Sequence, residues 1–348
     1  MMVAVTVAVA ACWSSSPTPT AVPTTPPPPT LTPPPTPTPI ATPTAKVYTY
    51  RDMVVGFIQT GSESPWRAAN TASFTDTAAQ DGITLKLFDA QDSFQNQIAA
   101  FHQFDEDPAV NVIVLDPVDT TGYDDVLKEA KAAGKVVVIE DLPIDSDPSL
   151  YTTYVGPDFV AEGQNAATAM CTLLAGFYAD KHNVVEITGG VGDLIAMDRA
   201  AGFRDNMGDC GITIPAGFSQ NGAWSVAQSK AVMAAMLKKT RNIQGVFAQD
   251  DEEAIGAIQA IKAAGLKPGK DIMVVGIDAT ADGFNALIAG DLGADIEYNP
   301  LLAPQVYLAA LFGLNGYIGL PVWIRSKEGV FLASQGAALQ VILATRNY

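Results

Sequence analysis

From Asp52 onward, short runs of aliphatic and β-branched residues alternate with longer stretches whose apolar positions recur every three or four residues. The short runs are apolar at consecutive rather than alternate positions, the form a strand takes when helices cover both of its faces. Strands are expected at Met53–Ile58, Ile83–Phe88, Asn111–Leu115, Val136–Ile139 and Tyr151–Val155, with helices at Trp66–Gln80, Ser93–Phe104 and Thr121–Ala133 between them. The units repeat at roughly 25 to 35 residues, the βαβ pattern of a parallel sheet.

A second set follows the same rule. A helix over Phe159–Tyr178 leads to strands at Val184–Ile187, Thr213–Phe218, Val246–Ala248 and Ile272–Ile277, interleaved with helices at Ala196–Met207, Val226–Lys238 and Glu252–Ala264. The fold class is therefore α/β with two Rossmann-like lobes. Parallel sheets bind ligands at the carboxyl ends of their strands, so two such lobes facing each other share one cleft.

The chain ahead of these sets has a different composition. Met1–Ala11 is almost purely apolar and ends Val9-Ala10-Ala11-Cys12, the small-residue spacing of a lipoprotein cleavage site, which makes Cys12 a candidate lipid anchor and residues 1–12 a signal segment. The plain alternative is a frayed apolar N-terminus. The run is shorter than the ~20 residues a membrane-spanning helix needs. It also lacks the positive charge with which a signal peptide opens, so the true start is expected elsewhere. Residues 13–45 are mostly Pro, Thr, Ser, Ala and Val, a composition that builds no core and reads as an extended stalk.

Charge and cysteine usage narrow the function classes. With 20 Lys and Arg against 37 Asp and Glu, net charge −17, the chain has no basic stripe to displace counterions from nucleic acid. An exported chain permits a disulfide between Cys171 and Cys210; a buried free thiol at Cys171, within an apolar helix, is the competing reading.

Enzyme signatures fail. The two histidines, His102 and His182, stand beside no nucleophile motif, and no His/Cys/carboxylate cluster has the spacing of a zinc site or a calcium loop, so no catalytic residue, cofactor or metal is expected. Gly189-Gly190-Val191-Gly192 follows a strand but matches neither G-x-G-x-x-G nor the phosphate loop; it reads as a tight turn beside the cleft. The informative residues stand at strand ends. They are Glu63, Ser64, Trp66 and Arg67 after the first strand, Asp141 after the fourth, Arg199 beside the glycine turn, Trp224, the pair Asp250-Asp251, and Asp278. Singly, each aspartate reads as a helix cap and each tryptophan as core or rim. Gathered at one end of two sheets they suit a sugar, because carboxylates accept from hydroxyls, arginine donates in a rigid fork, and indole covers C–H faces.

At these residues the chain resembles the ribose and galactofuranose type of bacterial ABC-transporter binding proteins, with the type I periplasmic-binding fold. The resemblance covers about Met53 to Tyr348. It is densest in Gly61-Ser62-Glu63-Ser64-Pro65-Trp66-Arg67, Gln95-Asn96-Gln97-Ile98, Leu127-Lys128-Glu129-Ala130-Lys131 and Gly256-Ala257-Ile258-Gln259-Ala260-Ile261-Lys262. It implies a cleft formed by Ser64, Trp66, Arg67, Asp141, Arg199, Trp224, Asp250, Asp278 and Tyr298, with Glu63 as a further member. One aromatic from each lobe would sandwich the sugar while Asp141, Arg199 and Asp278 bond its hydroxyls. Leu142 and Asp250 depart from the family, which often has Arg and usually Asn there.

The resemblance further implies that the lobes exchange segments through a three-segment hinge. Residues 46–155 with 299–322 then form one lobe and 156–298 with 323–348 the other, with crossings near Thr153–Gly156, Tyr298–Pro300 and Pro321–Ile324 and a helix at Leu301–Tyr317 returning to the first lobe. Function follows as an expectation: a monomeric, lipid-anchored, extracytoplasmic protein that captures a monosaccharide for a membrane ABC permease. Rivals are a sensor that reports occupancy to a membrane receptor and a binding protein for a nucleoside-like or cationic solute.

Overall fold

Strands β1 (Val54–Gln59), β2 (Thr84–Asp89), β3 (Val112–Leu115), β4 (Val136–Glu140) and β5 (Thr153–Gly156) alternate with helices α1 (Pro65–Asp81), α2 (Phe94–Glu106) and α3 (Asp124–Ala132) in the computed structural model of the chain. The structure describes residues 46–61, 64–177, 181–346 and 348. The anchor at Cys12, the stalk over 13–45 and Glu63 lie outside the described residues. The second set comprises α4 (Phe159–Leu174), β6 (His182–Thr188), α5 (Leu194–Asn206), β7 (Ile212–Thr213), β8 (Ser219–Asn221), α6 (Val226–Lys239), β9 (Gly245–Ala248), α7 (Asp251–Ala263), β10 (Met273–Asp278), α8 (Ala281–Ala289) and β11 (Ala294–Glu297). The chain closes with α9 (Ala303–Leu314), β12 (Trp323–Arg325), β13 (Val330–Leu332) and α10 (Ala337–Leu343).

Two sheets result. The first has the order β12-β5-β4-β3-β1-β2 and the second β13-β11-β10-β9-β6-β7, with β8 also on β6. All pairings are parallel except β11 with β13. The consecutive apolar runs are explained by burial on both faces. Phe74 of α1 and Val306 and Tyr307 of α9 cover one face of the first sheet, and Phe101, Phe104 and Leu127 of α2 and α3 cover the other. The second sheet lies between α4 and α5 on one side and α6, α7 and α8 on the other. Among the described residues no helix is long and apolar enough to cross a membrane.

The expected strand over Thr213–Phe218 is corrected to two short strands. Pro215 lacks the N–H a ladder needs, Gly217 takes φ +80°, and the Phe218 amide donates to the Pro215 carbonyl, which turns the chain between β7 and β8. The end of the chain also differs from expectation. Trp323, Ile324 and Arg325 pair with Tyr154, Val155 and Gly156, and the Trp323 indole donates to the Gly156 carbonyl at 3.1 Å, so 323–325 lie in the first sheet. The chain therefore passes between sheets at 157–158, 298–302 and 326–329, and the third passage falls after the Pro321–Ile324 segment rather than within it. Cys171 of α4 is joined to Cys210, which follows α5, with Cα atoms 5.6 Å apart.

Candidate functional site

The strand order reverses beside β1 in the first sheet and beside β6 in the second, and the carboxyl ends at these points face a common cleft of about 990 Å³. Such a reversal leaves a crevice that the flanking loops line. Eight expected residues border it: Ser64, Trp66, Arg67, Arg199, Trp224, Asp250, Asp278 and Tyr298.

On the first sheet's side, Ser64 caps α1 by accepting from the Arg67 amide at 3.1 Å, and Pro65 occupies the first helical turn. Helix α1 then aims Arg67 across the ends of β3 and β4, where its Nη1 donates to Asp116 at 2.9 Å and to Asp141 at 2.7 Å. Asp141 also accepts from the Tyr298 hydroxyl and is fully buried. Asp141 thus stands behind Arg67 and Tyr298, each of its carboxylate oxygens accepting from one of them, and does not border the cleft. Burial pushes Asp116 up to about 7 against the pull of Arg67, while neighbouring Asp141 adds to the rise. The Trp66 ring stacks on Tyr298 with centroids 4.1 Å apart, and its Nε1 donates to the Tyr298 carbonyl at 2.8 Å. At 4% exposure Trp66 closes the floor more than it presents a face.

The opposite wall is built from buried charge. Gly163 of α4 and Gly202 of α5 let the two helix backbones touch, since a methyl group at either would overlap the other helix's carbonyl oxygen. That crossing sets Arg199 of α5 against Glu162 of α4, Nε donating at 2.6 Å, while Nη1 donates to the Gln249 carbonyl at 2.7 Å. Nη2 makes no hydrogen bond among the described residues and lies 3.6 Å from Asp278. Burial pushes Glu162 up to about 7, partly offset by Arg199.

Asp278 ends β10 with φ +121° and Ala279 follows at +58°. This unusual loop is held from below by two buried carboxyl groups. Asp295 accepts from the Ala279 amide at 3.2 Å, and Asp251 accepts from the Thr280 amide at 2.8 Å and hydroxyl at 2.6 Å. Asp250 caps α7 through the Glu253 amide. Asp250, Glu252 and Asp278 bring carboxylate oxygens within 4.8 Å of one another. Burial first, then neighbouring carboxylates, holds Asp250 well above the usual carboxylate range; burial raises Asp278 likewise, against Arg199. A guanidinium 3.6 Å from Asp278 makes the trio a better acceptor set for hydroxyl or amine protons than a metal cage.

Sequence reading missed Glu252, Asp193 and Thr280 in this wall. Glu252 was legible only as a first-turn helix residue, although the run Asp250-Asp251-Glu252-Glu253 at a strand end was the signal for it. Leu142, the departure noted in sequence, borders the cleft as an apolar residue.

Residues 55–311 match the periplasmic binding protein domain family. The chain is 41% identical over 259 residues to the galactofuranose-binding protein YtfQ of Escherichia coli, covering 73% of this chain and 80% of that one. It is 32% identical over 269 residues to the fructose import binding protein FruE of Bifidobacterium longum, covering 75% and 79%. Among solved structures it resembles a galactofuranose binding protein, at 36% identity and TM-score 0.76 over 85% of this chain and all of that one. It also resembles a Shewanella arabinose ABC transporter component bound to α- and β-L-arabinofuranose, at 35% identity and TM-score 0.74 over 85% and 99%. A Mycobacterium smegmatis protein in complex with β-D-fucofuranose is 36% identical, with TM-score 0.74 over 84% and 96%. With this extent of match, and with two sheets closing on one cleft, the chain belongs to the periplasmic binding protein family.

Proposed function

We propose that the protein captures a monosaccharide, in its furanose form, in the cleft between the sheets and delivers it unchanged to an ABC import permease. The observation that carries this reading is a guanidinium set against three carboxyl groups that border the same cleft. Arg199 Nη2 has no hydrogen-bond partner among the described residues and lies 3.6 Å from Asp278, whose carboxylate is grouped with those of Asp250 and Glu252, and Trp224 borders the same cleft. A sugar hydroxyl that accepts from Arg199 can donate to a carboxylate, and a small ring has a C–H face for the indole. The named ligands of the similar galactofuranose, fucofuranose and arabinofuranose proteins support a five-membered ring. Binding without turnover, a lipid anchor at Cys12 with a stalk over 13–45, an extracytoplasmic location and a monomeric state complete the reading.

A thermal-shift screen of residues 46–348, one compact unit, against D-galactose, L-arabinose, D-fructose and D-ribose tests it. A ligand that binds only the folded state raises the midpoint, by ~2.7 kcal/mol of added stability at a hundredfold excess over Kd. No shift with any of these sugars sinks the proposal. The carboxylate trio favours one further reading, an amine-bearing or nucleoside-like solute; this requires a shift with an aminosugar that exceeds the shift with its neutral parent and shrinks in Asp250→Asn.

A further inference from the structure

Trp224 is held in place by a set of neighbours that includes Asp193 of the cleft wall. Ala223 and Trp224 take φ +54° and +52°, two successive non-glycine residues in the left-handed region, a conformation that persists only where surroundings impose it. The backbone is fixed by Asn221 Oδ1, which accepts from the Ala223 amide at 2.6 Å, and by Glu253 Oε1, which accepts from the Trp224 amide at 3.3 Å. The ring lies against Gly189, where a methyl group would overlap the indole. Its Nε1 donates to Asp193 Oδ2 at 3.1 Å.

Asp193 does two things at once. Oδ1 caps α5, accepting from the amides of Ile195 at 2.8 Å and Ala196 at 3.3 Å. A cap needs one oxygen; the second is spent on the indole. Because Arg199 rides on the same helix, one carboxylate ties the aromatic face of the cleft to the helix that carries Arg199. Gly189 supplies the bed on which the ring lies, which gives the glycine turn a role that its sequence, matching no phosphate motif, leaves open.

We propose that Asp193, with Gly189 beneath the ring, is a positioning residue that fixes the face Trp224 presents to the sugar and its offset from Arg199. This rests on the cleft being a sugar site, and the experiment separates the two ideas. Asp193→Asn retains a capping oxygen, because Asn caps as well as Asp, and turns an amide N–H toward the indole N–H. Trp224→Phe keeps an aromatic face and removes the N–H.

The protein, Asp193→Asn, Trp224→Phe and the double variant are titrated with whichever of D-galactose or L-arabinose shifts the midpoint, and indole emission and iodide quenching are recorded without sugar. In the Trp224 background Asp193→Asn is expected to weaken binding about fivefold to tenfold, the scale of one hydrogen bond, with the thermal midpoint unchanged. In the Trp224→Phe background it is expected to do nothing, the non-additivity of residues that act through one contact. Equal losses in both backgrounds, or none in either, overturn the proposal. If neither sugar binds, the clamp is still decided by the spectra recorded without sugar. Altered Trp224 emission and quenching in Asp193→Asn, and again in Gly189→Ala, uphold it, and unaltered spectra in both refute it.

Discussion

Arg67 and Asp250 were both read as ligand partners, and the structure gives them opposite energetic characters. Arg67 neutralises Asp116 and Asp141, two fully buried carboxylates. Removing it strands both, so Arg67→Met should cost ~3–5 kcal/mol of folding free energy, the penalty for breaking a buried pair. Urea unfolding measures this; a variant that loses sugar affinity while keeping its unfolding midpoint would refute it. Asp250 instead sits among Glu253, Asp278 and Glu252, which raise it further after burial has done most of the work. Asp250→Asn keeps the cap on α7 and relieves that repulsion. The midpoint at pH 8 should rise by about 2 °C, roughly 1 kcal/mol at this size, and the gain should vanish at pH 5; a fall at pH 8 would show that the charge is needed. Position at a strand end was legible for both residues, because it depends on local pattern. Partners were not legible, because Arg67 meets Asp116 and Asp141 across 49 and 74 residues of chain.

At the scale of elements, the decisive contact is the crossing of α4 and α5. It exists because Gly163 and Gly202 carry no side chain, and it sets Glu162 against Arg199. Gly202→Ala forces its methyl group onto the Val160 carbonyl oxygen, a backbone atom that cannot swing away. The expected cost is ~1–3 kcal/mol, typical of overpacking, accompanied by weaker sugar binding as Arg199 shifts. Gly176→Ala, with open space around the added methyl and no positive φ, serves as control and should lose neither. Chemical denaturation of the two variants checks this, and equal behaviour would remove the crossing from the account of the site. The same scale shows what hydrophobic patterning reveals. Val112–Leu115 and Gly245–Ala248 are fully buried and apolar throughout, so they read as strands at once. Ala294–Glu297 carries Asp295 and Glu297 and was not read as a strand at all. Its Asp295 is tolerated in the core because the Ala279 amide donates to it, a partner that only the folded chain brings there.

For the whole molecule, the sum of these buried acids fixes how stability depends on pH. Burial pushes Asp116, Glu162 and Asp295 up to about 7 and Glu253 up to about 8, whereas unfolded carboxyls titrate near ~4. Between those values the folded chain binds more protons than the unfolded chain, so the unfolding free energy falls as pH rises. The stabilisation is present in full below the unfolded pKa and is lost as pH climbs through 7 and 8. The excess of 37 acidic over 20 basic residues acts in the same direction, by self-repulsion. The thermal midpoint should therefore be several degrees higher at pH 5 than at pH 8.5. A methyl group at Gly283 would meet the carboxyl groups of both Asp251 and Asp295; burial and then Asp295 raise Asp251, whereas burial and Asp278 raise Asp295 against its hydrogen bond with Asp251. Replacing both by Asn should flatten the pH slope by about one proton while keeping amide oxygens to accept from Ala279 and Thr280. A midpoint that rises from pH 5 to pH 8.5 would mean that these carboxylates are ionised and compensated in the folded protein. A slope unchanged in the double variant would assign it instead to the acids of the cleft wall.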